Sequence, residues 1–350
     1  MTEATHTCSK CFMTQKFPDI KINETGICNH CHSSEFMESV EYETNSNLSV
    51  LIEEVNKLKK QKQGKYDCII GASGGLDSSY IIYVAKQMLR LNPLVISYNH
   101  GFTYPAAINN VKHICKELDI DLRIISSNGR HDFKFIKAMV RGLSQIDSYW
   151  GICSFCHYVL PAVVYKTASL EGIPILFTSN NMYEAKLHLS GKFRLRHMLN
   201  SLNFRNIWKF PMIVLNIIKA QYHFINLKLE FYLPPVSNLF KRKPVCPVYD
   251  INMTQYLSWD IKNMTDTLNN KLGWQLPQHP NINMRFDCRI EDSFINYTYK
   301  KATGATVHSI IASNLVNGGV FTKSEMEEAV NYYDNIITDS KEQMFKDLGL

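Results

Sequence analysis

A short stretch rich in glycine and serine carries the residue types that bind phosphate. Residues 71–79 read Gly-Ala-Ser-Gly-Gly-Leu-Asp-Ser-Ser and follow a mostly apolar run at 66–70. A helix that starts after such a turn offers backbone N–H groups without intrahelical partners and about half a positive charge from its aligned peptide dipoles. The spacing differs from Gly-x-x-x-x-Gly-Lys-Ser/Thr, the pattern of enzymes that transfer the terminal phosphate of ATP. The stretch therefore predicts a phosphate site with another ATP chemistry.

Alternating strand and helix patterns surround this loop. The patterns predict strands at 66–71, 94–99, 121–126 and 173–178, and helices at 77–90, 105–118, from 132 and at 157–170. Repeated strand–helix units form a parallel sheet with helices on both faces, and such sheets bind ligands beyond the carboxyl ends of their strands. We therefore expect the strand ends at Gly71–Asp77, Asn99–Phe102, Ser126–Arg130 and Thr178–Asn181 to meet around one nucleotide.

The motif Ser73-Gly74-Gly75-Leu76-Asp77-Ser78-Ser79 after a strand resembles the PP-loop of the ATP pyrophosphatases. This resemblance implies cleavage of ATP between the α and β phosphates, adenylation of a carbonyl or amide oxygen, and displacement of AMP by nitrogen or sulfur. It implies Asp77, Ser73 and Ser78 as catalytic residues, with Asp77 also on Mg2+. The expected ATP-binding residues are Gly71, Ala72, Ser73, Gly74, Gly75, Asp77, Ser78, Ser79, Ser97, Asn99, Thr178 and Asn181.

Some positions depart from the pattern of this family. Leu76 stands where many relatives have lysine, so other cations must meet the phosphate charge. Relatives often have Gly-Glu-Asn at the strand end Thr178–Asn181; here Asn181 corresponds to the asparagine, and Glu184 could replace the missing acid. Ser78 and Ser79 have the alternative role of capping the helix. The candidates for the missing positive charge are Arg130, His131, Lys186, Arg194, Arg196 and His197.

Four cysteines near the N-terminus have the spacing of a zinc ribbon. Cys8 and Cys11 form one Cys-x-x-Cys pair, Cys28 and Cys31 form a second, and a turn-rich segment separates the pairs. Four thiolates enclose Zn2+ tetrahedrally, and so short a segment has too little apolar surface to fold without such a staple. His30 and His32 flank Cys31 and could replace a ligand, but the four cysteines already complete the set.

A third pair, Cys153 and Cys156, opens a predicted helix, and Cys246 stands alone in Lys-Pro-Val-Cys-Pro-Val. Three interpretations stay open: a second metal or cluster site formed by all three residues, a packing or substrate contact, and a persulfide carrier. A Cys-x-x-Cys pair plus a distant cysteine after a PP-loop resembles the iron–sulfur tRNA thiolases. The remaining thiols are expected in the core: Cys68, Cys115 and Cys288.

The order of these regions resembles the N-acetyl sugar amidotransferases. The resemblance rests on the ribbon, the loop, the second Cys-x-x-Cys pair and the tail around 285–330, which includes Lys300-Lys301-Ala-Thr-Gly304 and Gly318-Gly-Val-Phe-Thr322. It implies conversion of the acetamido group of a nucleotide-linked sugar into an acetamidino group, for surface polysaccharide (lipopolysaccharide O-antigen) or flagellin glycans. It also implies ammonia from a separate glutaminase with a cyclase-like partner, because the chain has Thr2 where a fused glutaminase of the asparagine-synthetase type has cysteine.

The fold class we expect is α/β: a parallel-sheet PP-loop domain, like the adenine nucleotide alpha hydrolases, with an N-terminal zinc ribbon and a helical C-terminal region. The expected domains are a ribbon at 1–34, a helical connector at 35–64, the PP-loop domain at 65–200, and a mainly helical region at 201–350 that binds substrate or a partner. The expected cofactors are ATP, Mg2+ and Zn2+.

Composition supports an ordinary globular protein of 350 residues, with 45% hydrophobic and 20% charged residues. The N-terminus has no basic start or apolar run, so we expect a cytoplasmic location. The net charge of +6 is mild, the basic run at 241–243 reads as a solvated loop, and we expect no nucleic-acid partner. The segment 207–225 is too polar for a bilayer span, and its apolar residues fit a helix that packs against another helix, a partner or a membrane face, with packing in the core the first expectation.

Two other functions compete with the amidotransferase. A tRNA thiolase is suggested by the second cysteine set, and a non-catalytic adaptor is suggested if the loop binds nucleotide without turnover while the ribbon and the aromatic helices bind a partner.

Overall fold

The computed structural model describes residues 6–32, 47–146, 151–179, 181, 183, 207–232, 246–275 and 288–348. Within these residues the chain forms a parallel sheet with the strand order β3-β2-β1-β4-β5. The strands are β1 (Cys68–Gly71), β2 (Pro93–Tyr98), β3 (Asp121–Ile125), β4 (Ile175–Thr178) and β5 (Tyr249–Asn252). The α/β fold class and the four predicted strands are confirmed, and β5 is an addition that pairs in parallel with β4.

Helices connect and cover the strands. Their bounds are α1 (Leu48–Lys59), α2 (Leu76–Tyr83), α3 (Pro105–Glu117), α4 (His131–Leu143), α5 (Ser154–Glu171), α6 (Phe210–Tyr232), α7 (Ile261–Leu272), α8 (Asn296–Thr303), α9 (Val307–Asn317) and α10 (Lys323–Leu348). Local sequence sets several of these ends. Pro105 fits the first turn of α3 because it needs no N–H partner there. The side chain of Asp260 accepts a hydrogen bond from Asn263 N and caps the start of α7. Gly273, with a φ of 59°, caps its end.

The two faces of the sheet bury two apolar cores. Successive strand residues point to opposite faces, so Ile69 and Ile70 on β1 enter different cores. The core containing Ile70 lies against α1, α2, α3 and α7, and it holds Cys68 and Cys115 as buried thiols, as predicted. The core containing Ile69 lies against α4, α5 and α6. This layering fixes the carboxyl ends of the strands at one edge of the sheet.

The ribbon packs against the C-terminal helices. Phe12 N donates to Ser313 Oγ at 3.1 Å. Thr14 Oγ1 donates to the carbonyl of Thr303 at 2.5 Å, and Lys323 Nζ donates to the carbonyl of Cys8 at 3.0 Å. The ribbon and the C-terminal helices therefore meet, although they lie about 300 residues apart in sequence.

Two sequence expectations need correction. Cys288 is only half-buried, because it begins the segment before α8 and forms an isolated bridge with Thr103. The predicted core helix at 207–225 forms as α6, but only one of its faces is buried, and Leu215, Ile218 and Tyr222 are exposed. Among the helices of the described residues, none is long and apolar enough to cross a membrane.

Candidate active site

The glycine loop lies at the carboxyl end of the central strand, where the strand order reverses. The chain passes from β1 to β2 and β3 on one side and returns to β4 on the other side of β1. A crevice forms at such a switch point, and open α/β sheets bind their ligands there. Ala72 N donates to the carbonyl of Ile96 at 2.8 Å, which ties the start of the loop to β2. The loop and the ends of β1 and β4 therefore share one edge of the sheet.

Gly74 has a backbone conformation that residues with a side chain adopt only with strain. Its φ is 92°, and a Cβ atom placed on it would lie 2.0 Å from the carbonyl oxygen of Ala107 at the start of α3. Both facts exclude a side chain, because a positive φ strains residues with a Cβ and the nearest atom belongs to the backbone. Close contact between the loop and α3 thus fixes the path of the chain into α2.

The start of α2 has the features of an anion site. The helix begins at Leu76, Gly75 is its N-cap, and no side chain accepts a hydrogen bond at the cap. Ser78 Oγ donates back to the carbonyl of Gly75 at 3.3 Å, so neither Ser78 nor Ser79 occupies the N-cap that the capping alternative requires. Ser73 is exposed, and its Oγ accepts from Gly75 N at 3.3 Å.

The side chains of Ser79 and Leu76, both in the first turn or so of α2, have different surroundings. Ser79 is 1% exposed, and among the described residues its Oγ has no hydrogen-bond partner. A buried hydroxyl without a partner costs free energy, which makes Ser79 an unexplained polar group within one turn of the helix start. The Leu76 side chain is buried in the core with Ile70 and Trp259. Leu76 therefore packs the helix onto the sheet and does not reach toward phosphate as a lysine would.

Two tryptophans from beyond residue 250 hold the loop. Trp259 Nε1 donates to Asp77 Oδ1 at 3.1 Å, and Trp274 Nε1 donates to the carbonyl of Gly74 at 3.2 Å. Both rings are buried and flank α7 in sequence. Asn110 joins the same arrangement, because its Nδ2 donates to the carbonyl of Gln275 at 2.9 Å and lies 3.5 Å from that of Gly74. Sequence reasoning missed these residues, and the available signal was two tryptophans on either side of an amphipathic helix.

The end of β2 carries Ser97 and Asn99, which were predicted for the adenosine end of ATP. Ser97 is buried, and Asn99 Oδ1 accepts from Gly101 N at 2.9 Å. Arg289, from the segment before α8, donates through Nη2 to the carbonyl of Gly101 at 3.2 Å. The loop after β2 is therefore held by its own asparagine and by the C-terminal region.

Of the six predicted phosphate cations, Arg130 and His131 lie in the described residues. Arg130 has a left-handed conformation with a φ of 55°, and its guanidinium lies 3.7 Å from Asp132 and against the ring of Phe133. His131 Nδ1 lies 3.0 Å from His223 Nδ1 on α6, and burial together with this neighbour lowers the pKa of His223. The other four candidates, Lys186, Arg194, Arg196 and His197, lie outside the described residues.

The end of β4 places two further predicted residues at the same edge. Thr178 Oγ1 donates to Asp250 Oδ1 on β5 at 2.5 Å, which links the last two strands. Asn181 Oδ1 accepts from Tyr183 N at 3.0 Å, and the carbonyl of Tyr183 accepts from Asn314 Nδ2 on α9. Glu184 lies outside the described residues. The loops after β1 and β4 thus flank the switch point as expected.

The four ribbon cysteines form a group that fits a tetrahedral metal. All four sulfurs lie within 4.8 Å of one another, and three measured sulfur pairs are separated by 3.5–3.7 Å. Four Zn–S bonds of about 2.3 Å in a tetrahedron place the sulfurs about 3.8 Å apart, so the group has the right size for Zn2+. Cys28 N and Met13 N donate to two of these sulfurs, which stabilises thiolates. Hydrogen bonds among the thiols lower the pKa of Cys28 and raise the pKa of Cys11 and of Cys31.

The second cysteine set is not assembled in the same way. Cys153 is the N-cap of α5, near the carboxyl edge of the sheet, and Cys156 lies in its first turn. Cys246 lies against the carbonyl of Gln61, near the other end of α5, where Gln63 N donates to the carbonyl of Gly172. A helix of 18 residues spans about 27 Å, so Cys246 lies far from the pair. In the described part of the chain, only the ribbon brings three or more metal-ligating residues together.

Comparisons with known proteins do not show a family for this chain. No family model matches the sequence. A relative in sequence is an uncharacterised protein of Methanocaldococcus jannaschii, 26% identical over 212 residues, which are 59% of this chain and 71% of that protein.

Similar solved structures include three enzymes. The ammonia-dependent NAD synthetase of Campylobacter jejuni is 16% identical with a TM-score of 0.31, over 58% of this chain and 98% of that one. A tRNA thiolase of Methanococcus maripaludis with its 4Fe-4S cluster is 17% identical with a TM-score of 0.35, over 89% and 86%. The NMN synthetase of Francisella tularensis is 12% identical with a TM-score of 0.31, over 88% and 95%. At these TM-scores the likenesses carry no argument about this chain.

Proposed function

We propose that this protein is an ATP-dependent enzyme that adenylates an amide oxygen and releases pyrophosphate, and that its substrate is an N-acetylated nucleotide sugar. The observation that carries the proposal is the helix start after β1, where a glycine turn, Ser79 and Asp77 meet at the switch point of the sheet. This arrangement suits a triphosphate, because backbone N–H groups and the helix dipole favour negative charge there.

Different groups of the loop bind different parts of ATP and its Mg2+ ion. The backbone at Gly74 and Gly75 allows a phosphate to approach closely, and Ser73, Ser78 and Ser79 offer hydroxyls around the pyrophosphate end. Asp77 offers a carboxylate oxygen, a ligand that Mg2+ prefers, so the residues fit that ion. Bound Mg2+ supplies stabilisation of the charge that develops on the departing pyrophosphate. The indole of Trp259 orients the Asp77 carboxylate for this role.

The chemistry of the substrate explains why ATP is needed. An amide carbon is a poor electrophile and its oxygen is a poor leaving group, so the oxygen attacks the α phosphorus of ATP and pyrophosphate leaves. Ammonia then attacks the activated carbon, AMP leaves with the former amide oxygen, and an amidine remains. We propose that ammonia comes from a separate glutaminase with a cyclase-like subunit, and that Zn2+ in the ribbon is structural.

The test uses purified protein with ATP, Mg2+, ammonium and an acetamido nucleotide sugar, with AMP and pyrophosphate measured separately. We expect AMP formation that depends on both the sugar and ammonium. Asp77→Asn should abolish it, whereas Asp266→Asn, which changes an exposed carboxylate on α7, should not. Release of ADP, or no AMP with any acetamido nucleotide sugar, would count against the proposal.

A second candidate, a tRNA thiolase, is favoured by the position of Cys153 and Cys156 at the start of α5, near the carboxyl edge of the sheet. In that case the adenylated group belongs to a tRNA base and sulfur displaces AMP. Iron content, a brown colour and tRNA binding that depends on Cys153 and Cys156 would support this candidate. A colourless, iron-free protein that turns over an acetamido sugar would exclude it. Turnover that vanishes in Asp77→Ala would also exclude a non-catalytic adaptor.

A further inference from the structure

Helix α6 has two apolar faces, and among the described residues only one of them is buried; on the other, Tyr222 lies edge-on to His131 and the Tyr232 hydroxyl donates to the carbonyl of Tyr158. Ile213, Ala220 and Leu227 recur every seven residues and are buried in the core that lies against α4. Packing here is tight, because a Cβ atom on Gly142 of α4 would lie 3.1 Å from Asn216 Cβ. The helix is therefore fixed on the body of the protein, and its other face points outward.

The outward face carries a continuous row of large apolar side chains, which we call the exposed stripe. Each member is 50–60% exposed. The members are Leu215, Ile218, Tyr222, Ile225, Leu229 and Tyr232. Exposed apolar residues occur singly on most soluble proteins, whereas a contiguous patch of this kind marks an interaction site.

The spacing of the exposed stripe identifies the shape of its partner. Its members alternate steps of three and four residues from Leu215 to the end of α6, which is the apolar repeat of a helix that packs along another helix. The stripe is narrow, because Lys219 and Asn226 flank it on one side and Gln221 and Lys228 on the other. A helix that lies in a membrane surface has a charged face opposite its apolar one, whereas the face of α6 opposite the stripe is buried in the core. A second helix is therefore the occupant that fits.

Area and charge favour a second copy of this chain. Half-exposed side chains of this size offer about 100 Å² each, so the six members of the stripe offer about 600 Å², the lower end of the area that a specific interface buries on each partner. The stripe itself carries no charge. Each flank has one lysine and one amide, so two copies can set lysines opposite amides without opposing like charges. An identical stripe on a second chain supplies the matching repeat.

We propose that two copies of this chain associate by packing their exposed stripes together as an interchain helix pair. This inference is independent of the reaction proposed above, because no residue of the stripe belongs to the glycine loop. It predicts that the isolated full chain is a dimer and that charge placed in the stripe separates the copies while the fold is kept.

The experiment measures molar mass by sedimentation and light scattering at about 20 µM protein, above the micromolar dissociation constants that weak interfaces of this size reach. We expect twice the chain mass for the natural protein and the chain mass for Ile218→Asp combined with Ile225→Asp. Ile52→Asp is the matched control, since Ile52 is an isoleucine on α1 that is 42% exposed, outside the stripe. Circular dichroism checks the fold of each variant.

A measurement on the unchanged protein guards against a variant that fails to fold. On dilution from dimer to monomer, amides of residues 215–229 should lose protection from hydrogen exchange more than those of α1. A protein that stays monomeric at the higher concentration overturns the proposal, and so does a dimer that survives both aspartates. Monomers that bind anionic phospholipid vesicles through the stripe would overturn it in favour of a membrane surface.

Discussion

The hydrogen bond from Trp259 to Asp77 gives the sharpest test of how the loop works. The indole Nε1 lies 3.1 Å from Asp77 Oδ1, and the ring is only 5% exposed. A hydrogen bond to a charged group contributes about 1.5–3 kcal/mol, and each 1.36 kcal/mol corresponds to tenfold in a rate or binding constant. Trp259→Phe keeps most of the ring and removes the donor. We therefore expect it to weaken Mg2+-dependent ATP binding, or AMP formation, by about 10- to 150-fold.

The assay compares ATP binding by calorimetry with Mg2+ and with a chelator in its place. If Trp259 acts through Asp77 and the cation, the defect appears with Mg2+ and largely disappears without it. Trp208→Phe is the matched control, because Trp208 is 69% exposed and belongs to the surface turn before α6. Urea unfolding of both variants separates a lost contact from a lost fold.

Two results would refute this reasoning. Equal ATP affinity of Trp259→Phe and Trp208→Phe with Mg2+ would show that the indole does not position the carboxylate. A loss of equal size with and without Mg2+ would show that Trp259 supports the loop in general and that Asp77 does not hold the cation.

Three further predictions concern the loop, the ribbon and an acid-sensitive ion pair. Gly74→Ala should abolish ATP binding and lower the free energy of unfolding by about 1–3 kcal/mol, measured by calorimetry and urea unfolding, because of the positive φ and the clash with Ala107; unchanged binding would contradict this. Metal analysis should find one zinc per chain, reduced in Cys28→Ser, and chelation should lower the melting temperature; full stability of metal-free protein would argue against a structural site. Burial raises the pKa of Asp67, but hydrogen bonds from Lys62, Asn92 N and Lys59 outweigh it, so the folded pKa lies below the unfolded value of about 3.9. This stabilisation is present above the unfolded pKa and is lost as the pH falls through the folded pKa. In urea unfolding, Asp67→Asn should therefore be less stable than the natural protein at pH 7, with a difference that shrinks below about pH 4. A difference that does not depend on pH would disprove this explanation.

The sequence predicted those parts of the fold that are encoded locally. The apolar run before Gly71 and the glycine turn after it specify a strand, a loop and a helix within a few residues. β5 was missed because it is an edge strand with one buried residue, Ile251, among exposed or half-buried ones, so its pattern does not stand out. Its partner β4 lies about 70 residues earlier, and no local signal records that pairing.

The candidate site was predictable where it lies on the loop and not where it depends on distant contacts. The hydrogen bonds of Trp259 and Trp274 to the loop join residues 182 and 200 positions apart, and only the packing of α7 against α2 brings them together. The same reason explains Cys246. Its spacing from Cys153 and Cys156 suggested a shared metal, but the direction of α5 places it at the opposite end of the helix.

The contact between the ribbon and the C-terminal helices has a consequence for the order in which the chain matures. During synthesis the first thirty or so residues emerge long before Ser313 and Lys323, their partners in the finished protein. The Zn2+ that we propose for the ribbon would stabilise it during that interval, since binding of about 10–16 kcal/mol needs only the four thiolates. The ribbon is then folded before α8 and α9 are synthesised, and Phe12 and Thr14 have not yet been covered by them. Metal supply during translation should therefore govern the yield of this protein more than metal supply afterwards.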